Sequence, residues 1–237
     1  MKGNLSIIIP VFRESALISD TIHSILDLKI SIPFEIIISD GESSHSTLES
    51  LRTDKKILHS QQPVKLIPSV KGRGPQMNTG VSKAKGQLLF FLHADTRLDQ
   101  RGMDLMIKTW KDHGNPLFCG AFDLYIHSEK KIFRIIEKAA SLRSRLLKIP
   151  YGDQGIFMSR QLFERVGGFP DVSIMEDVGI MSRIKKTGVS PIFLTHPIAT
   201  SARRWKDQGI FYTTLKNWIL ISLYILGVSP KILTKYY

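Results

Sequence analysis

Aspartates recur at the ends of apolar runs in this chain. Phe34-Glu35-Ile36-Ile37-Ile38-Ser39 leads to Asp40-Gly41, and Leu88-Leu89-Phe90-Phe91-Leu92 leads to His93-Ala94-Asp95. A carboxylate at the carboxyl end of a buried strand is placed to meet a metal or a phosphate group, because ligands of open α/β sheets bind there. A lone acid at such a point also serves as a turn or N-cap residue, so its chemistry depends on its company. Between the two runs, Lys71-Gly72-Arg73-Gly74-Pro75-Gln76-Met77-Asn78 sets a guanidinium among glycines, able to fork onto phosphate while the backbone approaches closely, with a mobile, solvated loop as the structural alternative. Further on, Gly152-Asp153-Gln154-Gly155 holds an acid and an amide in a glycine-flanked turn, and Glu176-Asp177 pairs two acids at a helix start. Arg203-Arg204-Trp205 puts two guanidiniums beside an indole. The paired acids suit removal of a hydroxyl proton, with helix capping as the structural alternative. The arginines suit an anionic group such as a phosphate, and the indole offers a flat apolar face.

The elements that must position these groups follow from the apolar spacing. Ile7 to Phe12 reads as a first strand, broken by Pro10 and too brief for the core of an export signal. A helix opens at Arg13-Glu14-Ser15, with Leu17, Ile18, Ile22, Ile25 and Leu26 at helical spacing. Phe34 to Asp40 is a second strand, Val64 to Ile67 a short third, and the run after Gly86 a fourth. A further helix stops at Gly167-Gly168, and a short strand covers Ile192 to Leu194. This alternation predicts an α/β fold, a mainly parallel sheet flanked by helices.

Composition narrows the function classes. With 237 residues, 43% hydrophobic and 23% charged, the chain can bury one sizeable core, and global disorder is excluded. A net charge of +12 favours polyanionic partners: nucleic acid, an anionic membrane or a phosphorylated small substrate. A basic nucleic-acid-binding module is the rival reading outside enzymes, but no nucleic-acid recognition motif is present, so no nucleic-acid partner is expected. The Gly-Lys-Ser/Thr ending of a P-loop is missing, and no Gly-x-Gly-x-x-Gly follows the first strand. The single Cys119 forms no intrachain disulfide, which fits a reducing, cytoplasmic setting.

Pro10-Val11-Phe12-Arg13-Glu14, Asp40-Gly41, the Gly72 to Gly80 segment and Phe91 to Asp95 together resemble the successive motifs of family 2 glycosyltransferases. The resemblance runs from the first strand to about Trp205. More narrowly, the Gly-Arg-Gly-x-Gln-Met-Asn and His-Ala-Asp forms resemble the radical-SAM/selenodomain-associated transferase 2 subfamily. The resemblance implies a GT-A, Rossmann-like fold over residues 1–205 and transfer of a sugar from a UDP- or GDP-sugar, metal-dependent and inverting. It implies a donor site at Pro10, Phe12, Glu14, Asp40, Gly41, Arg73, Asn78, His93 and Ala94. It implies a divalent cation, manganese or magnesium, on Asp95, with His93 and His196 as further candidate ligands; His93 stands where the family usually has another acid. Asp177 is the expected base with Glu176 beside it. Asp153, Gln154, Arg203, Arg204 and Trp205 are expected to meet acceptor or diphosphate. Nucleotidyl transfer is the rival within enzymes, since it also uses strand-end acids to hold metal.

Residues 206–237 read as a helical, apolar extension. Its densest stretch, Trp218 to Leu226, is about half of the roughly 20 residues a spanning helix requires. Two partners suit it: the inner face of the cell membrane as a peripheral seat, or protein, including a second copy in a homo-oligomer.

Overall fold

Runs of Ile, Leu and Phe without polar alternation cannot face water on one side, so the strands they form need cover on both faces. The computed structural model, which describes residues 4–172 and 174–236, meets that requirement. Strands β1 (Leu5–Val11) and β2 (Phe34–Asp40) are buried at every position. They are followed by β3 (Val64–Pro68), β4 (Leu88–Phe91), β5 (Thr96–Arg97), β6 (Cys119–His127), β7 (Phe157–Ser159) and β8 (Ile192–Ser201). All join one sheet in the order β3-β2-β1-β4-β7-β6-β8-β5. β1 pairs in parallel with β2 and β4, β2 with β3, and β6 with β8, while β7 runs antiparallel to β4 and β6 and β5 antiparallel to β8. The carboxyl ends of β1, β2 and β4 therefore share one edge. Because β7 is reversed, the residues that precede it arrive at that edge too, and Phe91 N–H donates to the Ile156 carbonyl at 2.9 Å.

The helices are α1 (Ile18–Leu26), α2 (Ser46–Arg52), α3 (Lys55–Leu58), α4 (Arg73–Lys83), α5 (Gln100–His113), α6 (Ile132–Leu147), α7 (Arg160–Arg165), α8 (Glu176–Lys186), α9 (Arg203–Gln208), α10 (Ile210–Ile225) and α11 (Pro230–Leu233). The two-residue period of the strands sorts the core into two layers. Ile7, Ile9, Ile36 and Ile38 pack with α1 and with Met103, Met106 and Trp110 of α5. Ile8 and Ile37 turn the other way, onto Met77 and Val81 of α4 and Ile180 and Ile184 of α8.

Three local expectations change. The first helix begins at Ile18 rather than at Arg13, whose φ of 58° is left-handed and cannot start a helix. The glycine-rich segment is the start of α4 rather than a loop, entered through Gly72 at φ 129°. A Cβ at Gly74 would lie 2.6 Å from the Pro170 carbonyl, and one at Gly80 2.5 Å from Ile8 Cγ2, so these glycines serve close packing. The strand expected over Ile192 to Leu194 continues to Ser201, past a register shift opposite Phe122/Asp123 that absorbs Thr195 and His196.

Leu220 of α10 packs with Ile174, Met175 and Val178 around α8, and Leu233 of α11 joins them. No helix among the described residues is long and apolar enough to cross a membrane.

Asn78 ties the two halves of the chain together. Its Nδ2 donates to the Phe169 carbonyl and its Oδ1 accepts from the Phe169 N–H, both at 2.9 Å. Asn78→Ala should cost about 1–3 kcal/mol, since both backbone groups lose their partner. Urea unfolding checks this, and an unchanged midpoint would remove Asn78 from the structural frame.

Candidate active site

The shared strand edge opens into a cleft of about 310 Å³. β1 brings Pro10 and Val11, with Phe12 and Glu14 just beyond; the turn after β4 brings His93, Ala94 and Asp95; α4 brings Arg73 and Gln76. The 3₁₀ turn Gly152–Gln154 ahead of β7 brings Asp153, α8 brings Asp177, and α9 brings Arg203, Arg204 and Trp205. Asn217 and Ile221 of α10 close one wall.

Gly152 is the point where three of these meet. A Cβ there would lie 2.7 Å from His93 Nε2, too close to stand, and 3.7 Å from Asp177 Oδ2, an ordinary contact, so glycine is what lets the imidazole approach. Asp177 accepts from Gly152 N–H at 2.8 Å and from Val178 N–H at 2.7 Å, which fixes its orientation. Glu176 is 1% exposed and forms an ion pair with Arg73 Nε at 2.8 Å, while its Oε2 is buried without a hydrogen-bond partner. Burial pushes the Glu176 carboxyl upward against the pull of Arg73, and Asp177 pushes the same way.

Asp153 shows the same tension. Its Oδ1 is sealed and unpartnered, and burial, with Asp177 and then Asp95 adding, lifts its carboxyl to about 6 against Arg143 and Arg73. His93 moves the other way, lowered to about 3 by burial and by the positive charges of Arg73 and Arg204. Its imidazole is therefore neutral at physiological pH and retains a lone pair.

On the opposite wall Phe12 lies under Lys71 Nζ, 4.6 Å from the ring centre, and Arg13, at 5.3 Å. Arg203 reaches both Glu14 oxygens at 3.0 and 3.2 Å, clasping α9 to the end of β1. Trp205 meets Phe133 edge-on at 5.9 Å.

Other sequence-expected residues sit apart from the cleft surface. Asp40 is fully buried; its Oδ1 accepts from Glu42 N–H, and its Oδ2 stands 3.9 Å from His45 Nδ1 with no hydrogen bond. Gly41 backs onto Gln76, which donates to the carbonyls of Val11 and Ser39. Asn78 is held by Phe169. Gln154 is buried, accepting from Ser144 Oγ and Tyr151 N–H and donating to the Phe122 carbonyl. His196 pairs with Asp99 at 2.7 Å beside the start of α5, away from Asp95 and His93.

Two neighbours were not singled out from sequence. Arg143 of α6 lies over the Tyr151 ring, 3.1 Å from its centre, behind the carboxylate pair. Burial lowers its guanidinium to about 10, against the attraction of Asp153 and Asp177. Its spacing, i+3 from Ala140 and i+7 from Ile136, was the available signal, since both partly buried residues pack inward. Met175, at φ 63° ahead of α8, carried no such signal.

Among the described residues no three His, Cys, Asp or Glu side chains form a ready cage for a metal ion. A small hard cation needs no such cage when phosphate oxygens complete its shell, and one or two carboxylates then suffice. Asp95, facing the cleft beside neutral His93, fits that kind of site.

Comparison with known proteins agrees with this geometry. The chain is 28% identical over 156 residues to the poly(ribitol-phosphate) beta-N-acetylglucosaminyltransferase TarP of Staphylococcus aureus, an overlap of 65% of this chain and 45% of the relative. It is 31% identical over 119 residues to the poly-beta-1,6-N-acetyl-D-glucosamine synthase of Staphylococcus epidermidis, covering 47% of this chain and 28% of that one. The chain thus spans less than half the length of these curated relatives. Among solved structures, the mannosyltransferase PcManGT from Pyrobaculum calidifontis, in complex with GDP-Man and Mn2+, superposes with a TM-score of 0.63 at 20% identity, covering 84% of this chain and 57% of that one. S. aureus TarS 1–349 in complex with UDP-GlcNAc gives 0.65 at 14% identity, covering 84% and 58%. The fold is the GT-A type. Residues 6–167 match Glycosyl transferase family 2, and with this sheet and this cleft the chain belongs to that family.

Proposed function

We propose that this chain is an inverting glycosyltransferase that moves a sugar from a UDP- or GDP-sugar to an acceptor hydroxyl, with Mn2+ or Mg2+ held by Asp95 at the donor diphosphate. The observation that carries this reading is the convergence of Asp177, Asp95, His93 and Arg204 on one cleft at the carboxyl ends of β1 and β4. Donors of both kinds occupy solved structures with this fold, GDP-Man with Mn2+ in PcManGT and UDP-GlcNAc in TarS. The narrower kinship with the radical-SAM/selenodomain-associated transferase 2 subfamily rests on the Gly72 to Asn78 and His93 to Asp95 forms.

Phe12, overlain by Lys71 and Arg13, offers a cationic flat surface to the nucleoside, and Asp40, buried behind it, fixes the turn after β2 through the Glu42 N–H instead of reaching the cleft. Arg73 and Arg204 supply positive charge for the diphosphate. A cation held by Asp95 would supply charge neutralisation for the diphosphate. Trp205 offers an indole face to the sugar. The acceptor oxygen bonds to the anomeric carbon opposite the diphosphate, its proton passes to Asp177, and the carbon–oxygen bond to the nucleoside diphosphate breaks. Gly152 and Val178 N–H hold Asp177 for that transfer, and Glu176, fixed by Arg73, holds the first turn of α8. Nucleotidyl transfer would release pyrophosphate instead, so product analysis with UDP- and GDP-sugars separates the two.

Asp177→Asn keeps shape but not basicity, and its amide accepts from only one of the two backbone N–H groups. Single-turnover transfer should fall about 10²–10⁴-fold while donor affinity stays level, with thermal unfolding of the variant checked beside it. Full activity in this variant would reassign the base. Asp95→Asn should weaken nucleoside diphosphate binding in the presence of manganese and leave metal-free binding alone, as read by calorimetry; equal loss with and without metal would sink its role as ligand. Asp153 yields a pH test. Its native carboxyl, near 6, lies above the ordinary value of 3.8, so the native state favours the protonated form. That contribution is full below about pH 4 and lost as pH rises through about 6. Asp153→Asn should therefore gain thermal stability relative to the parent between about pH 4 and 7, and a constant difference across that range would refute the buried-acid account.

A further inference from the structure

A helix at the edge of a domain ordinarily turns polar side chains to water. α10 does the reverse. Its inward side supplies Asn217 and Ile221 to the cleft and Leu220 to the cluster around α8. Its outward side carries Phe211, Leu215, Trp218, Ile219 and Leu226, at i, i+4, i+7, i+8 and i+15, and these are 49–80% exposed. α6 repeats the pattern with Ile135, Leu142 and Leu146, at i, i+7 and i+11 and 59–73% exposed, while Phe133 and Glu137 face inward. The two helices border each other, because Trp205 and Ile210 pack on the same cluster as Ile132, Ile136 and Ala140.

Charge identifies what covers these faces. Leaving aside Arg143 over Tyr151, Arg145 paired with Asp123, and Arg203 and Arg204 of the cleft, the exposed cations are Lys130, Lys131, Lys138 and Lys148 around α6 and Lys206 and Lys235 flanking α10. Asp207 is the exposed acid among the described residues of 130–148 and 203–237. We propose that the outward faces of α6 and α10 form one docking surface for an anionic lipid bilayer, both helices lying in the interface. A second copy of the chain would set these cations against their own kind, whereas anionic headgroups complement them and accept aromatic and aliphatic side chains between them. Sixteen residues in each helix are too few to span, where about 20 are required. The surface is independent of the transfer chemistry, since none of its apolar residues lines the cleft.

The test is flotation of the full chain with vesicles of phosphatidylcholine alone or mixed with phosphatidylglycerol. Binding should appear with the anionic vesicles and fall about tenfold or more between roughly 0.1 and 1 M salt. The sets Phe211→Ser/Leu215→Ser/Trp218→Ser and Ile135→Ser/Leu142→Ser/Leu146→Ser should each lower vesicle affinity about tenfold or more. Thermal unfolding like the parent's shows that each set is folded. Absence of binding to anionic vesicles overturns the proposal, as does binding that neither set weakens. A lipid-free dimer in light scattering that either set dissociates would assign the faces to a second copy.

Discussion

The ion pair of Arg73 with Glu176 is the interaction on which the cleft depends. It joins the first residue of α4 to the first residue of α8, two elements a hundred residues apart, in a place where Glu176 is almost wholly removed from water. A buried carboxylate without a partner is strongly unfavourable, so Glu176 holds its helix where the guanidinium can reach it. Asp177 follows in the chain and is thereby delivered to Gly152 and His93. The close contact of Gly74 with Pro170, and with Glu176 Cβ beside it, sets the same distance through packing.

Around that pair, charge is divided rather than balanced. Burial, reinforced by Arg73 and Arg204, keeps His93 neutral, while Asp95 and Asp177 act on Asp153 as like charges. Crowded carboxylates repel, and the repulsion is relieved by a proton on Asp153 or by positive charge entering the cleft. A cleft built in this way is least comfortable when empty and ionised, which favours ligands that bring cations with them. Arg143 moderates the tension from behind Tyr151 without reaching the cleft surface.

Much of this frame was legible in the sequence because it lies in short-range pattern. Continuous apolar runs announced β1, β2 and β4, and the polar residues after them announced the edge where Pro10, His93 and Asp95 now stand. The glycine pair Gly167-Gly168 marked the end of α7, and both residues have positive φ. What could not be read was long-range. Asn78, Gln154 and His196 have chemically able side chains, yet each is engaged by a distant backbone group or acid that spacing does not reveal. The glycines of α4 looked like loop residues because their reason, contact with Ile8 and Pro170, lies on other elements. β8 continues only through tertiary pairing, with β6 on one side and the edge strand β5 on the other, so Thr195 to Ser201 gave no clear sign of continuing the sheet.

Gln76 offers a last consequence. One side-chain amide caps the carbonyls of both Val11 and Ser39, the residues where β1 and β2 run out, and Gly41 leaves room for it with a would-be Cβ 2.9 Å from Gln76 Cδ. The two positions are therefore locked as a pair. Enlarging residue 41 displaces the amide, and shortening residue 76 strands two buried carbonyls, so neither change is tolerated before the other. In a lineage of such chains these sites would have to move together or stay still, which makes the floor of the cleft far slower to diversify than the α9 and α10 walls above it.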